Sequence, residues 1–148
     1  MKLQERRKTK VITAFILFFF VVPVIFQSCV RYIAAYDPIA LDKAVSLKSR
    51  SINLVNKAAE PHADHEPEIR ALMLEVEQAY EYACILPKNN LTARQWEVLK
   101  DPERNLLGGF FKYWQQKEKL TQEFISEVSG EISRAFDAII KLETLKNR

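Results

Sequence analysis

The chain has 148 residues, 48% of them apolar, with 22 basic and 19 acidic side chains; residues 1–28 alone hold five of the bases and one of the acids. The remaining 120 residues balance 17 bases against 18 acids, which is enough chain for one domain with its own core but lacks the persistent basic stripe of a nucleic-acid surface. Three glycines, two of them adjacent, argue against a sheet-rich fold with many tight turns.

The first element is the N-terminal segment. Lys2, Arg6, Arg7, Lys8 and Lys10 precede the apolar run Val11–Phe26, and Gln27-Ser28-Cys29 closes it. A basic stretch, an apolar stretch and a small-residue zone are the parts of an export signal, whose basic end stays cytoplasmic. As a helix the apolar run spans roughly 24 Å, short of the ~30 Å hydrocarbon core of a bilayer. Continued through Val30 it reaches about 30 Å, so a cleaved signal and an uncleaved anchor helix both fit. Pro23 near the exit end loosens the helix, which suits a cleavage site. Phe26-Gln27-Ser28-Cys29 resembles the lipobox of bacterial lipoproteins, with Phe26 where Leu is usual. That resemblance implies cleavage before Cys29 and acylation of its thiol and new amine. Acyl chains contribute about 0.8 kcal/mol per buried methylene, so several chains anchor a protein stably. The three outcomes (lipoprotein, uncleaved anchor, secreted protein) all export the body. The expected organisation is a signal or anchor over 1–28, a juxtamembrane tether over 29–36 and a helical domain over 37–148.

The body reads as helices throughout. Asp37-Pro38 is a start signal, with Asp37 as cap and Pro38 at the first helical position. Leu41, Ala44, Val45, Leu47, Ile52, Leu54, Val55 and Ala58 give an amphipathic helix to about Ala59. The polar link 60–66 follows, and a second helix is expected from Glu66-Pro67, with a seam of Ile69, Leu72, Met73, Val76, Ala79, Tyr80 and Ala83, stopped by Pro87. Thr92 and Gln95 form a capping box that opens a short helix. Asp101-Pro102 repeats the start signal, and Gly108-Gly109 marks a bend or loop, since glycine inside a helix costs roughly 1 kcal/mol relative to alanine. The last helix is the most periodic, with Phe124, Ile125, Val128, Ile132, Ala135, Phe136, Ile139, Ile140 and Leu142 on its apolar face. Gly130 within it is a candidate for close helix approach, and Lys146 and Arg148 lie beside its negative end. The expected fold is all-α, a small antiparallel helical bundle of three longer helices plus one or two short ones.

Chemistry is sparse. His62, Asp64, His65, Glu66 and Glu68 are the one cluster with metal-ligand chemistry, and their spacing is that of a solvated loop; no metal or cofactor is expected. Cys84, next to the seam residue Ala83, has no partner if Cys29 is acylated and is expected to be a buried lone thiol, the alternative being an intermolecular bridge. No nucleophile or phosphate-binding motif occurs, so no enzyme is expected. Phe110, Phe111, Tyr113 and Trp114 crowd four large aromatics into five positions. They cannot all face one helical stripe, so one or two are expected at the surface as a partner-binding patch.

The pieces AYDPIALDKAVSLK, ILPKNNLT and FDAIIKLETLK behind a Cys-terminated signal are similar to small lipoproteins of Gram-negative bacteria. In these, a Tyr-Asp-Pro motif (here Tyr36, Asp37, Pro38) opens the first helix and a Leu-Glu motif (Leu142, Glu143) closes the last. The resemblance implies export and a helical fold, and no activity. With Val30 rather than Asp after Cys29, it implies outer-membrane sorting. The expected role is a membrane-tethered protein of the periplasmic side of the envelope that binds another envelope protein. The alternative is a carrier of a small apolar ligand or lipid.

Overall fold

A computed structural model describes residues 34–147. The signal or anchor segment, the lipidation candidate Cys29 and most of the tether lie outside the described residues. Five helices follow in order: α1 (Pro38–Val55), α2 (His62–Ile85), α3 (Asn90–Lys100), α4 (Leu107–Lys117) and α5 (Gln122–Leu145). Three are long and two short, and no strand occurs among the described residues. None of the five is long and apolar enough to cross a membrane.

Local chemistry sets the first start. The Asp37 carboxylate accepts the Ile39 N–H at 2.9 Å, and Pro38 needs no partner at the first position. The helix closes at Val55, and the expected last turn to Ala59 tightens into i→i+3 bonds, Lys57 N–H to the Leu54 carbonyl and Ala58 N–H to that of Val55.

Cross-chain contacts fix the topology. Asp37 meets Tyr82, Arg50 meets Glu75 and Lys57 meets Glu68, so α1 and α2 are antiparallel. Lys48 pairs with Asp137, and the Leu120 N–H donates to the Ala58 carbonyl, which sets α5 antiparallel to α1. Along α3, Asn89 lies beside Ala83 and Lys100 beside Glu77, antiparallel to α2. α4 continues in that direction and ends with Trp114 and Glu118 against Glu60 and His62. The bundle therefore has four rods running up, down, up, down, and its third rod is broken in two. α3 and α4 have 11 residues each, together close to the 24 of α2 or α5.

Three boundaries differ from expectation. α2 begins at His62, a turn ahead of Glu66, with Pro67 inside it. The His62 N–H donates to the Glu118 carbonyl at 2.9 Å, and its ring meets Trp114 edge-on at 5.5 Å; these tertiary contacts hold the extra turn despite the bond Pro67 cannot donate. α3 begins at Asn90, so Thr92 is a buried inner residue instead of the cap. The Asp101 carboxylate accepts the Glu103 N–H at 2.9 Å, a local turn, and α4 starts only at Leu107. The paired glycines are helical. A Cβ on Gly108 would sit 2.1 Å from the Lys100 carbonyl oxygen, and one on Gly109 would sit 1.8 Å from that of Arg104. Only glycine lets the first turn of α4 back onto the end of α3. Gly130 serves no such purpose, since a Cβ there would meet only the Arg134 side chain at 3.6 Å.

The seams of α2 and α5 face inward as read. Ile69, Leu72, Val76, Ala79 and Ala83 are buried, as are Ile125, Ile132, Phe136 and Ile139. Trp96 of α3 meets Phe136 edge-on at 5.8 Å, a geometry that adds to simple area burial.

Candidate interaction groove

α3 packs on both α2 and α5, whereas α4 packs on α2 and α3. The mouth between α4 and α5 is thus left as an open groove of about 570 Å³, walled at one end by the 101–106 turn. Its aromatic lining is Phe110 and Tyr113 of α4 and Phe124 of α5, continued by Val128. The Phe110 and Phe124 rings stack 6.4 Å apart at 9°, and Tyr113 lies 5.2 Å from Phe124. The rim bears both signs of charge: Lys112 pairs with Glu103 at 2.5 Å, and Arg104, Glu127 and Glu131 flank them.

The four aromatics, one or two of which are expected at the surface, divide three to one. Phe110, Phe111 and Trp114 are buried, while Tyr113 is 39% exposed. Spacing explains the split. Positions 110, 111 and 114 lie three and four apart on one helical face, and 113 turns away from it. Partner contact through Phe111 or Trp114 is therefore corrected to a core role for both. Phe110 is also core, although it reaches the groove floor. The exposed handle is Tyr113.

Trp114 closes the end of the bundle where the links meet. Its indole N–H lies 3.1 Å from the carbonyls of both Glu60 and Glu118. Glu118 itself has φ 64°, and the Lys119 N–H bonds back to the Lys117 carbonyl at 2.7 Å. This is the rare γ-turn of positive φ. The strain aims one carbonyl at both the Trp114 indole and the His62 N–H.

The histidine cluster forms no group of three ligands suited to a metal among the described residues. His62 is buried on Trp114. His65 lies 2.7 Å from Glu60 and 3.6 Å from Glu68, which Lys57 also bonds at 3.0 Å. The Lys57 ammonium is the main cause holding the Glu68 carboxyl below its ordinary range. Cys84 is exposed, not buried as expected. Ala83 and Cys84 are 100° apart on the helix, enough to turn the thiol off the seam.

At the opposite end lies a polar cluster that the sequence does not announce. Glu143 and Lys146 are both buried and paired with each other. Lys146 also donates to the Asn89 side-chain carbonyl at 2.6 Å, and the Asn89 amide donates to the Ala83 carbonyl at 3.1 Å. Beside them the Tyr82 hydroxyl donates to Asp37 at 2.5 Å. That bond is the chief cause holding the Asp37 carboxyl below its usual value and raising the Tyr82 phenol. Glu and Lys three apart in a last turn was the available signal, but it is also the pattern of a solvated pair. Glu143 Oε2 has no partner and lies by a space of about 10 Å³ lined by Tyr82, Asn89 and Trp96.

Compared with protein-family models, curated proteins and solved structures, the chain matches none of them.

Proposed function

We propose that this protein is a membrane-tethered, non-enzymatic binding domain of the bacterial envelope, facing the periplasm, that receives an apolar segment of another envelope protein between α4 and α5. The observation that carries the reading is the groove. Its aromatic floor is held by core packing, Tyr113 stands exposed beside it, and its rim has charges of both signs. Aromatic anchors inside a polar rim are the anatomy of protein-binding surfaces. The basic-then-apolar N-terminus supports export and tethering, and the likeness of its Cys29 region to a lipobox supports lipid attachment there.

The test is a photo-crosslinking residue in place of Tyr113 in cells, with Leu74 as a control position on an exposed side of α2. One discrete adduct at 113, absent at 74 and lost on Val128→Lys, is the expected outcome. Indistinguishable patterns at the two positions would remove the groove from consideration.

The groove volume also favours a second reading, since small-ligand sites occupy roughly 300–1,000 Å³. A retained apolar adduct in native mass spectrometry, lost on Val128→Lys, would assign the groove to a small ligand instead.

A further inference from the structure

Nine large apolar side chains stand exposed among the described residues, and they are unevenly placed. Five of them, Tyr36, Ile39, Ile85, Leu91 and Leu145, come from the start of α1, the end of α2, the start of α3 and the end of α5. These element ends meet at one end of the bundle, as the Tyr82–Asp37, Asn89–Ala83 and Lys146–Asn89 bonds require. Ile85 is 74% exposed and Ile39 66%. The opposite end, built from 56–61 and 118–121, has none of the nine. Scattered single apolar residues need no explanation, but a concentration on one end of a small domain marks an interaction surface.

The chain itself indicates what covers that surface. The described body begins at Ala34 on this same end. Five residue steps separate Ala34 from Cys29, and extended chain covers at most about 3.6 Å per residue, hence about 18 Å in all. The two polar regions of a bilayer together add roughly 10–15 Å to the hydrocarbon core, so one headgroup layer is about 5–8 Å deep and the tether can reach at most about 10–13 Å beyond it. A tether this short keeps this end of the domain beside the bilayer, within reach of it at every moment.

We infer that the end of the bundle bearing Ile39, Ile85 and Leu91 rests on the lipid surface, with these side chains in the headgroup–acyl boundary. Apolar side chains at an interface bind by this shallow burial, and Tyr36 is of the residue type enriched there. The domain then stands upright, with α4 and its groove in the half directed away from the bilayer. The inference rests on the reading of residues 1–28 as a membrane tether, and the experiment separates the two.

Cys84, exposed beside Ile85, provides a native reporter. The full chain with Cys29→Ser keeps its apolar segment and has a single thiol, to which a fluorophore is attached. It is reconstituted into phosphatidylcholine vesicles containing lipid spin-labelled near the headgroup. A second sample has Cys29→Ser, Cys84→Ser and Leu74→Cys, which places the fluorophore on the side of the bundle. The expected result is loss of most of the fluorescence at 84 with little loss at 74. Ile39→Ser, Ile85→Ser and Leu91→Ser together should restore the signal at 84 while helical circular dichroism is retained. Chain that floats with vesicles but is equally bright at both positions overturns this inference alone. Chain that fails to float overturns the tether as well.

Discussion

The two ends of the bundle are closed by different chemistry. At the end formed by the 56–61 and 118–121 links, main-chain carbonyls and one indole do the closing; the charges around them, such as Glu60 and Glu68, are more than half exposed. At the other end the closing groups are ionic. Glu143 and Lys146 are buried together, and Asp37 takes the Tyr82 hydroxyl. A neutral closure tolerates the loss of its surface charges, because exposed pairs contribute about 0–1 kcal/mol. A buried ionic closure depends on both partners, because losing one leaves the other desolvated and alone.

Trp114 is the largest single support of the neutral end. Trp114→Ala should destabilise the protein by about 4 kcal/mol in chemical denaturation followed by circular dichroism. A loss below about 1 kcal/mol would mean that the links close without it. At the ionic end, Lys146→Met should cost about 3 kcal/mol by stranding Glu143. Joining it with Glu143→Leu should recover most of that loss, because a buried pair replaced by apolar side chains is often neutral. If the double variant is as unstable as the single, the pair is contributing more than mutual neutralisation.

Smaller effects sharpen the contrast. Glu118→Gly relieves the positive-φ strain at the neutral end and should raise stability by about 1 kcal/mol in the same assay, an increase independent of pH if the carbonyl alone matters. Asp37→Asn keeps a helix cap but removes the charge that accepts the Tyr82 hydroxyl, and should cost about 0.5–1 kcal/mol at neutral pH. The folded protein lowers the Asp37 pKa, so the ionised carboxylate stabilises above its unfolded value near pH 4. That contribution is lost as pH falls through the lowered folded value. Wild type and Asp37→Asn should therefore differ at neutral pH and converge in acid, and a gap that persists in acid would locate the effect elsewhere.

Periodicity made the inner faces of α2 and α5 legible, because a run such as Ile69, Leu72, Val76, Ala79 and Ala83 has only one way to hide. The all-helical bundle followed from the same patterns. Boundaries were less legible, since contacts between distant residues decide them. Nothing near Glu66 announces that the Glu118 carbonyl holds His62 in helix. The glycine pair was visible as special, but a kink and a close helix approach leave the same mark in sequence. Around the groove, the crowding of aromatics at 110–114 is legible in sequence, but not which of them stands exposed. Helical phase then selects Tyr113 as the exposed member and sends the other three inward. Glu143 and Lys146 were illegible for a plain reason: charged side chains are almost never fully buried unless paired, and a sequence does not print the pairing.

The break in the third rod has a consequence for how the molecule breathes. A helix of 11 residues is too short to persist by itself in water, so α4 is held by its tertiary contacts, with Leu107, Phe110, Phe111 and Trp114 buried and Phe110 stacked on Phe124 of α5. Amide groups in such a segment exchange with solvent through local opening that leaves the long helices closed. Any opening of α4 must lift the Trp114 indole off the Glu60 and Glu118 carbonyls, which makes that side chain the latch of one groove wall.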